Sequence, residues 1–472
     1  MQNYYLAVDI GASSGRHILG YMEDGQMKIH EVHRFKNGME NKAGKLVWDT
    51  DYLFTEIVNG MKKCKEYGKI PASMSIDTWA ADYVLLDKNN QILGDTYGYR
   101  DSRTARMDTK VYEKIPEKDL YARTGIQKQI FNTIYQLMAV KQDTPELLKR
   151  AKTFLMLPDY FLFLLTGNAV PEYTNATSTQ LVNPIKKKWD TGLLKLLGYP
   201  EEMFLPLALP GTKTGDLKDN IQKETGFNCE VVLCASHDTA SAVMAMPVTS
   251  GEGLYISSGT WSLMGIETEM AYCDEKSRLA NFTNEGGYNY RFRYLKNIMG
   301  LWIIQSARHE MNDMYSFAEL CKMAEENREF PSRIDVNNSC FLAPENMTRE
   351  IQAYCQQSRQ AVPQTPGEIA AVIYSSLAEC YGKTIHELEK NTGKIYDSIH
   401  IIGGGSNASY LNQLTADITG KTVYAGPCEA TAIGNIMAQM IRAGEFTDLA
   451  EARKCVYNSF DIRKYIKESN SI

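Results

Sequence analysis

Two aspartates sit where carboxylates can do chemistry. Asp9 ends the apolar run YYLAVD and opens directly into the turn IGASSGR. Asp238 follows the buried-looking run EVVLCAS and a histidine, His237, and it begins the stretch DTASAVMAM. A carboxylate at the end of a strand beside small residues can hold a hydrated Mg²⁺. It can also cap its own turn. A carboxylate where a strand passes into a helix can accept a proton at the mouth of an α/β site. It can equally serve as the N-cap of that helix. For Asp238 the residues alone leave both readings open.

The turn after Asp9 is one of three rich in glycine. The second is SSGTW (Ser257 to Trp261), and the third is IIGGGSN (Ile401 to Asn407). The first leads into another strand, which excludes a Rossmann fingerprint, where the glycines open a helix. None ends in Gly-Lys-Ser/Thr, which excludes a P-loop. The third runs from a strand through glycines towards a helix over about 409–419, a geometry that offers free backbone N–H groups to an anion. Together the three turns predict a nucleotide held between two halves of the chain.

These residues need elements to position them. Strands are expected at 4–10, 16–21 and 27–35, with Asp24-Gly25 as the hairpin turn between the last two. A helix is expected over 51–67 from the spacing of Leu53, Phe54, Ile57, Val58 and Met61. SMSIDTWAADYVLLDKNNQ predicts strand, loop, strand and turn. About residues 104–205 carry helical patterning. A strand at Val231–Ala235 and a helix at Thr239–Met246 then precede Pro247. Asp9-Ile10-Gly11 aligns with Ser257-Ser258-Gly259, each between two strands, which suggests two related halves. The expected domains are 1–246 and 247–472.

Composition narrows the function. The chain of 472 residues is too long for one ordinary core. A net charge of −6 argues against a nucleic-acid partner held by a basic surface. No apolar run is long enough to span a bilayer, since TFLMLPDYFLFLLTG is interrupted at Pro158-Asp159. Asp9 falls where an export signal needs unbroken apolar residues. The ten cysteines form no CxxC pair and read as reduced thiols of a cytoplasmic protein. Cys234 and His237 lie at a metal-binding spacing, but no second ligand pair lies near them in sequence.

The three turns resemble the phosphate and adenosine motifs of the sugar-kinase, Hsp70 and actin superfamily. GASSGR, SIDTWAADYVLLD, YRDSRT, MLPDYF, EYTNATSTQLVN, SHDTASAV, SSGTWSLMG, LKNIMGLW and EATAIGN extend that likeness over nearly the whole chain. In these stretches the protein is similar to the FGGY carbohydrate kinases. EYTNAT, SHDTASAV and LKNIMGLW are most similar to the branch that phosphorylates L-rhamnulose.

The resemblance implies an α/β fold of two ribonuclease-H-like domains around a cleft, with Mg-ATP and a ketose as substrates. It implies Asp238 as proton acceptor and Asp9 as the Mg²⁺ residue, acting through water. Ala12, Ser13, Ser14, Gly15, Arg16, Thr260, Gln305 and Gly404 would contact ATP. Ala80, Asp82, His237, Asp238, Thr239 and Asn297 would contact the sugar. Relatives in that branch carry glycine at the position of Ala80.

Overall fold

The computed structural model describes residues 2–248 and 253–468. The chain divides into two compact units. The first comprises Met1–Ala245, Glu267–Tyr294 and Thr431–Ser459, and the second Met246–Ile266, Leu295–Ala430 and Phe460–Ile472. The chain first passes from one unit to the other between Ala245 and Met246. The units are nevertheless interleaved rather than consecutive, because two later segments return to the first.

The sheet of the first unit contains β1 (Tyr4–Ile10), β2 (Ser14–Glu23), β3 (Gln26–Lys36), β4 (Pro71–Thr78), β5 (Lys213–Asp216) and β6 (Glu230–Val232). Its order is β5-β6-β4-β1-β2-β3. β1 is buried from Tyr5 to Ile10, as an unalternating apolar run requires when both faces are covered. Asp24 and Gly25 both have positive φ, so the Asp-Gly pair makes the tight turn expected between β2 and β3. Helix α1 (Thr50–Glu66) is capped by Asp49, whose side chain accepts from the Tyr52 N–H. Its buried Leu53, Ile57 and Met61 join one core with the sheet.

Between β4 and β5 the chain builds a second core in the same unit. Strands Tyr83–Leu86 and Thr153–Met156 pair antiparallel, and several helices surround them, including Thr133–Asp143, Leu157–Thr166 and Tyr173–Thr177. Tyr83, Tyr135, Phe154, Trp189 and Phe204 fill this core. The helical patterning of 104–205 is therefore realised in short pieces, with strands among them.

In the second unit, β7 (Leu254–Ser258), β8 (Trp261–Thr268), β9 (Phe292–Met299), β10 (Ser398–Ile402), β11 (Thr422–Ala425) and β12 (Arg463–Tyr465) follow one another in the sheet as β9-β8-β7-β10-β11-β12. The chain leaves this unit within β8 and re-enters it within β9. The first four positions repeat the pattern of the first sheet. β1 is antiparallel to β2 and parallel to β4, and β7 is antiparallel to β8 and parallel to β10. The repeat suggested by two short turns thus extends to strand order and direction.

Candidate functional site

In the first unit the register of β1 sets the charges. Arg16 lies opposite Asp9 on β2, and Asp77 lies beside Asp9 on the parallel strand β4. Arg16 donates from Nε and Nη2 to Asp9 Oδ2 at 2.9 and 2.7 Å. Asp77 is fully buried and accepts from Asn435 Nδ2 at 2.6 Å, while its Oδ1 has no hydrogen-bond partner. Burial, and then the nearby charge of Asp9, push the Asp77 carboxyl well above the usual carboxylate range.

The turn from Gly11 to Arg16 is closed by the Gly11 N–H on the Ser14 carbonyl at 2.9 Å. Asn37 pins it from β3's end: its N–H reaches the Ser13 carbonyl at 3.0 Å and its Nδ2 the Gly11 carbonyl at 2.8 Å. Ala12 and Ser14 are half-buried and Ser13 is exposed. Gly15 must be glycine, because a Cβ there would lie 2.1 Å from the Phe35 ring.

Asp238 is the first residue of helix α2 (Asp238–Met244), and His237, not Asp238, occupies its N-cap position. The His237 side chain makes no cap hydrogen bond there. Asp238 Oδ1 accepts from the N–H and hydroxyl of Thr239 at 2.5 and 3.1 Å. Its side chain is 31% exposed. Desolvation, and then Asp9, push its pKa up to about 6, against the pull of the Thr239 bonds.

The segment before α2 is held from two sides. The Thr78 N–H donates to the Ser236 carbonyl at 3.0 Å. Glu172, fully buried, accepts from the Ser236 N–H and hydroxyl at 3.1 and 2.8 Å and also from Thr174 and Asn175. Cys234 donates its S–H to the Ile76 carbonyl at 3.4 Å rather than joining His237.

His237 is 6% exposed. Its Nδ1 lies 2.9 Å from Arg293 Nη2, and its Nε2 lies 3.5 Å from Asp238 Oδ1. Burial and then the Arg293 charge hold its pKa well below the usual histidine range, so the ring is neutral. Arg293 is wholly buried, and Nη2 also meets Glu285 at 3.1 Å.

Asp82, expected at the sugar, is 1% exposed and already well supplied with donors. Trp48 Nε1, Trp79 Nε1 and the Tyr99 N–H all reach its Oδ2, at 2.7, 2.9 and 3.0 Å. Gln136 Nε2 reaches Oδ1 at 2.9 Å. The two indoles pack with ring centroids 4.1 Å apart. Asp82 thus braces the loop that carries half-buried Ala80. The next residue, Ala81, takes the left-handed conformation at φ 73°, and the Thr133 hydroxyl fixes its carbonyl at 2.7 Å.

In the second unit the turn after β7 closes through the Gly259 N–H on the Trp261 carbonyl at 2.8 Å. Its backbone also receives the chain that enters helix Trp302–Glu310: the Leu301 and Trp302 N–H groups donate to the Gly259 and Thr260 carbonyls at 3.1 and 3.0 Å. Thr260 is exposed. Gln305 is half-buried on that helix, and Asn297 on β9 has a buried Oδ1 without a hydrogen-bond partner.

The glycine turn after β10 packs against Ser258, and a Cβ on Gly405 would lie 1.9 Å from the Ser258 hydroxyl. Gly404 is exposed, with open space where a Cβ would stand. The glycines form a 3₁₀ turn, Gly404–Asn407, before the helix Ser409–Thr419 begins, so they do not themselves open the α-helix.

The expected residues therefore fall into two groups. Asp9, Ala12 to Arg16, Ala80, Asp82, His237, Asp238 and Thr239 belong to the first unit, and Thr260, Asn297, Gln305 and Gly404 to the second. Sequence reasoning missed Asp77, Glu172, Glu285, Arg293 and Asn435. Asp77 had a signal, since SIDT repeats the strand-end aspartate of AVDI. Glu172 caps the short helix that follows it but also reaches Ser236, 64 residues on, and Arg293 and Asn435 lie far in sequence from the groups they serve.

This architecture is the two-domain α/β fold of sugar kinases. It matches solved structures of gluconate kinase from Lactobacillus acidophilus (TM-score 0.79, 17% identity, covering 99% of this chain and 94% of that one). It also matches Plasmodium falciparum glycerol kinase with ADP (TM-score 0.77, 15% identity, 99% and 94% covered). Residues 4–245 match the N-terminal domain of the FGGY family of carbohydrate kinases, and residues 254–443 match its C-terminal domain. The chain belongs to that family. Among its relatives, rhamnulokinase of Halalkalibacterium halodurans is 50% identical over 464 residues, covering 98% of this chain and 99% of the relative. Rhamnulokinase of Bacillus subtilis is 45% identical over 462 residues, covering 98% and 95%.

Proposed function

We propose that the protein transfers the γ-phosphoryl group of Mg-ATP to the 1-hydroxyl of L-rhamnulose, giving L-rhamnulose 1-phosphate and ADP, in the cytoplasm. The observation that carries this reading is the carboxylate of Asp238 at the head of α2. It is open to solvent on one side and stands beside a neutral histidine, in a chain similar to rhamnulokinases over 98% of its length.

In a loose phosphoryl-transfer transition state the acceptor hydroxyl loses its proton late, so a carboxylate can receive it. Asp238 orients the hydroxyl and takes that proton. A pKa of about 6 leaves it ionised at neutral pH yet more basic than an ordinary aspartate. His237 and Thr239 hold sugar oxygens beside it, with Ala80 and Asn297 completing the sugar contacts. Asp82 shapes that wall through its four donors.

The residues present fit Mg²⁺. Asp9 and Asp77 supply oxygen donors at adjacent strand ends, and Asp77 Oδ1 lacks a partner. Among the described residues no three His, Cys, Asp or Glu side chains form a metal cage, which suits an ion that keeps most of its waters. When bound, Mg²⁺ would neutralise charge on the phosphates. Asp9 would hold it through water, with Arg16 and the backbone of Ala12 to Gly15 at the phosphates. Thr260, Gln305 and Gly404 would serve the nucleotide from the second unit.

A coupled ADP-release assay over L-rhamnulose, L-fuculose, L-ribulose and D-xylulose tests the substrate. L-Rhamnulose should give the highest kcat/KM. Equal values for L-rhamnulose and L-fuculose would refute the assignment.

A further inference from the structure

His237 carries one imidazole proton when neutral, and which nitrogen bears it decides what the ring can do beside Asp238. The groups facing the ring are Arg293 and Glu285 on the Nδ1 side and Asp238 on the Nε2 side. A guanidinium has donors only. Arg293 Nη2 lies at hydrogen-bond distance from Nδ1, 2.9 Å, so Nδ1 must accept. Glu285 Oε2 could in principle draw a proton onto Nδ1. It stands farther away, at 3.4 Å, and it is itself engaged by Nη2 at 3.1 Å. Nη2 makes its hydrogen bond to the imidazole and meets the carboxylate as an ion pair, since Glu285 Oε2 has no hydrogen-bond partner. Arg293 Nε is held by the Gly286 carbonyl at 3.0 Å, which fixes the plane of the fork.

We propose that Arg293 is a positioning residue for phosphoryl transfer, locking His237 as the tautomer protonated on Nε2. This rests on the kinase reading above. The ring then presents a donor, not a lone pair, towards Asp238 and towards a sugar oxygen bound beside it. His237 is thereby excluded as the proton acceptor, and Asp238 is left as the base. A second general base beside the nucleophilic hydroxyl would let the proton leave by two routes, and this arrangement permits one. Glu285 balances the buried arginine, since an unpaired buried charge would be costly.

The tautomer can be read without any turnover. The chain has seven histidines, and the His237 signal in ¹⁵N-histidine-labelled protein is the one absent from His237→Gln. Long-range ¹H–¹⁵N correlation should show the Nε2–H tautomer between about pH 6 and pH 8, where an ordinary histidine titrates. An Nδ1–H tautomer or an imidazolium over that range overturns the proposal.

Kinetics supply the second arm. Arg293→Lys keeps a charge and a donor, and should retain the tautomer and most of kcat. The double variant Arg293→Met/Glu285→Gln removes the donor and both charges. Its kcat should fall by roughly tenfold to a hundredfold, the scale of one hydrogen bond to a charged group, with KM for ATP unchanged. A double variant that melts like the wild type and keeps wild-type kcat overturns the role, and if it does not fold, the wild-type tautomer decides. Ketose-dependent ADP release by the wild type is measured alongside. Its absence would sink the kinase reading, whereas a wrong tautomer in an active enzyme sinks only the role of Arg293.

Discussion

At the end of β1 the register brings Asp9 beside Arg16 on one neighbour and Asp77 on the other. At the corresponding place in β7 it brings Ser257 beside Leu263 and Ile402. The strand directions are the same, and each turn is closed by a backbone hydrogen bond. The first unit gathers two carboxylates and an arginine at this point, and the second offers uncharged side chains and backbone. A duplicated frame has thus been given unequal tasks. Asp9 helps to raise the pKa of both Asp77 and Asp238, and perturbed groups of this kind gather at functional sites. In the other copy the backbone packs closely, with Gly405 against Ser258, and the proposed function gives it the nucleotide.

This contrast can be broken by substitution. The largest effect is expected from Asp9→Ala. It should lower kcat/KM for Mg-ATP by roughly a hundredfold or more, the scale of a lost electrostatic group at a phosphoryl-transfer site. Ketose affinity by calorimetry should change little, and an equal loss for both ligands would remove Asp9 from the metal role.

Next comes the scaffold under Asp238. Glu172→Ala deletes the acceptor of five hydrogen bonds and leaves their donors buried. Urea unfolding should show a loss of about 3 kcal/mol or more. A loss under 1 kcal/mol would mean the segment is held by other means.

Acid should act on the same half. With Asp238 at about 6 and needed as the carboxylate, kcat/KM should fall as pH drops through that value, approaching tenfold per unit below it. A profile flat down to about pH 5 would contradict the raised pKa. The smallest effect is expected in the neutral copy. Thr260→Val should raise KM for ATP only severalfold, as removal of one uncharged hydrogen bond does. A loss as large as that of Asp9→Ala would erase the proposed division of labour.

The sequence announced the parts of this site that are local. Asp9 with its turn, the Asp24-Gly25 hairpin, α1 and the strand-to-helix passage into α2 each depend on neighbours a few residues away. The repeat was visible because two such local patterns recur. What it concealed was long-range pairing. Arg293 reaches His237 across 56 residues, and Asn435 reaches Asp77 across 358. Nothing in the local pattern of RFRYLKN marks its second arginine as buried against a histidine. Asp82 illustrates the converse: its type suggested a hydroxyl acceptor, and only the packed structure shows that indoles, an amide and a backbone N–H already occupy it. The interleaving of the units is likewise a matter of packing, since residues 267–294 and 431–459 carry no compositional boundary.

The central claim is that Asp238 takes the proton and does little to hold either substrate. Asp238→Asn keeps the shape and removes the base. It should also be slightly more stable at pH 7: a carboxyl whose folded pKa is raised costs stability once pH exceeds its unfolded value, here on the order of 1 kcal/mol after allowance for its solvent contact. The direct measurement is single-turnover phosphoryl transfer by this variant, with L-rhamnulose and Mg-ATP affinities measured by calorimetry on the same sample. Binding close to wild type with less than a tenth of the wild-type rate is the predicted result, and a variant that binds both substrates and keeps more than a tenth of that rate would contradict the account.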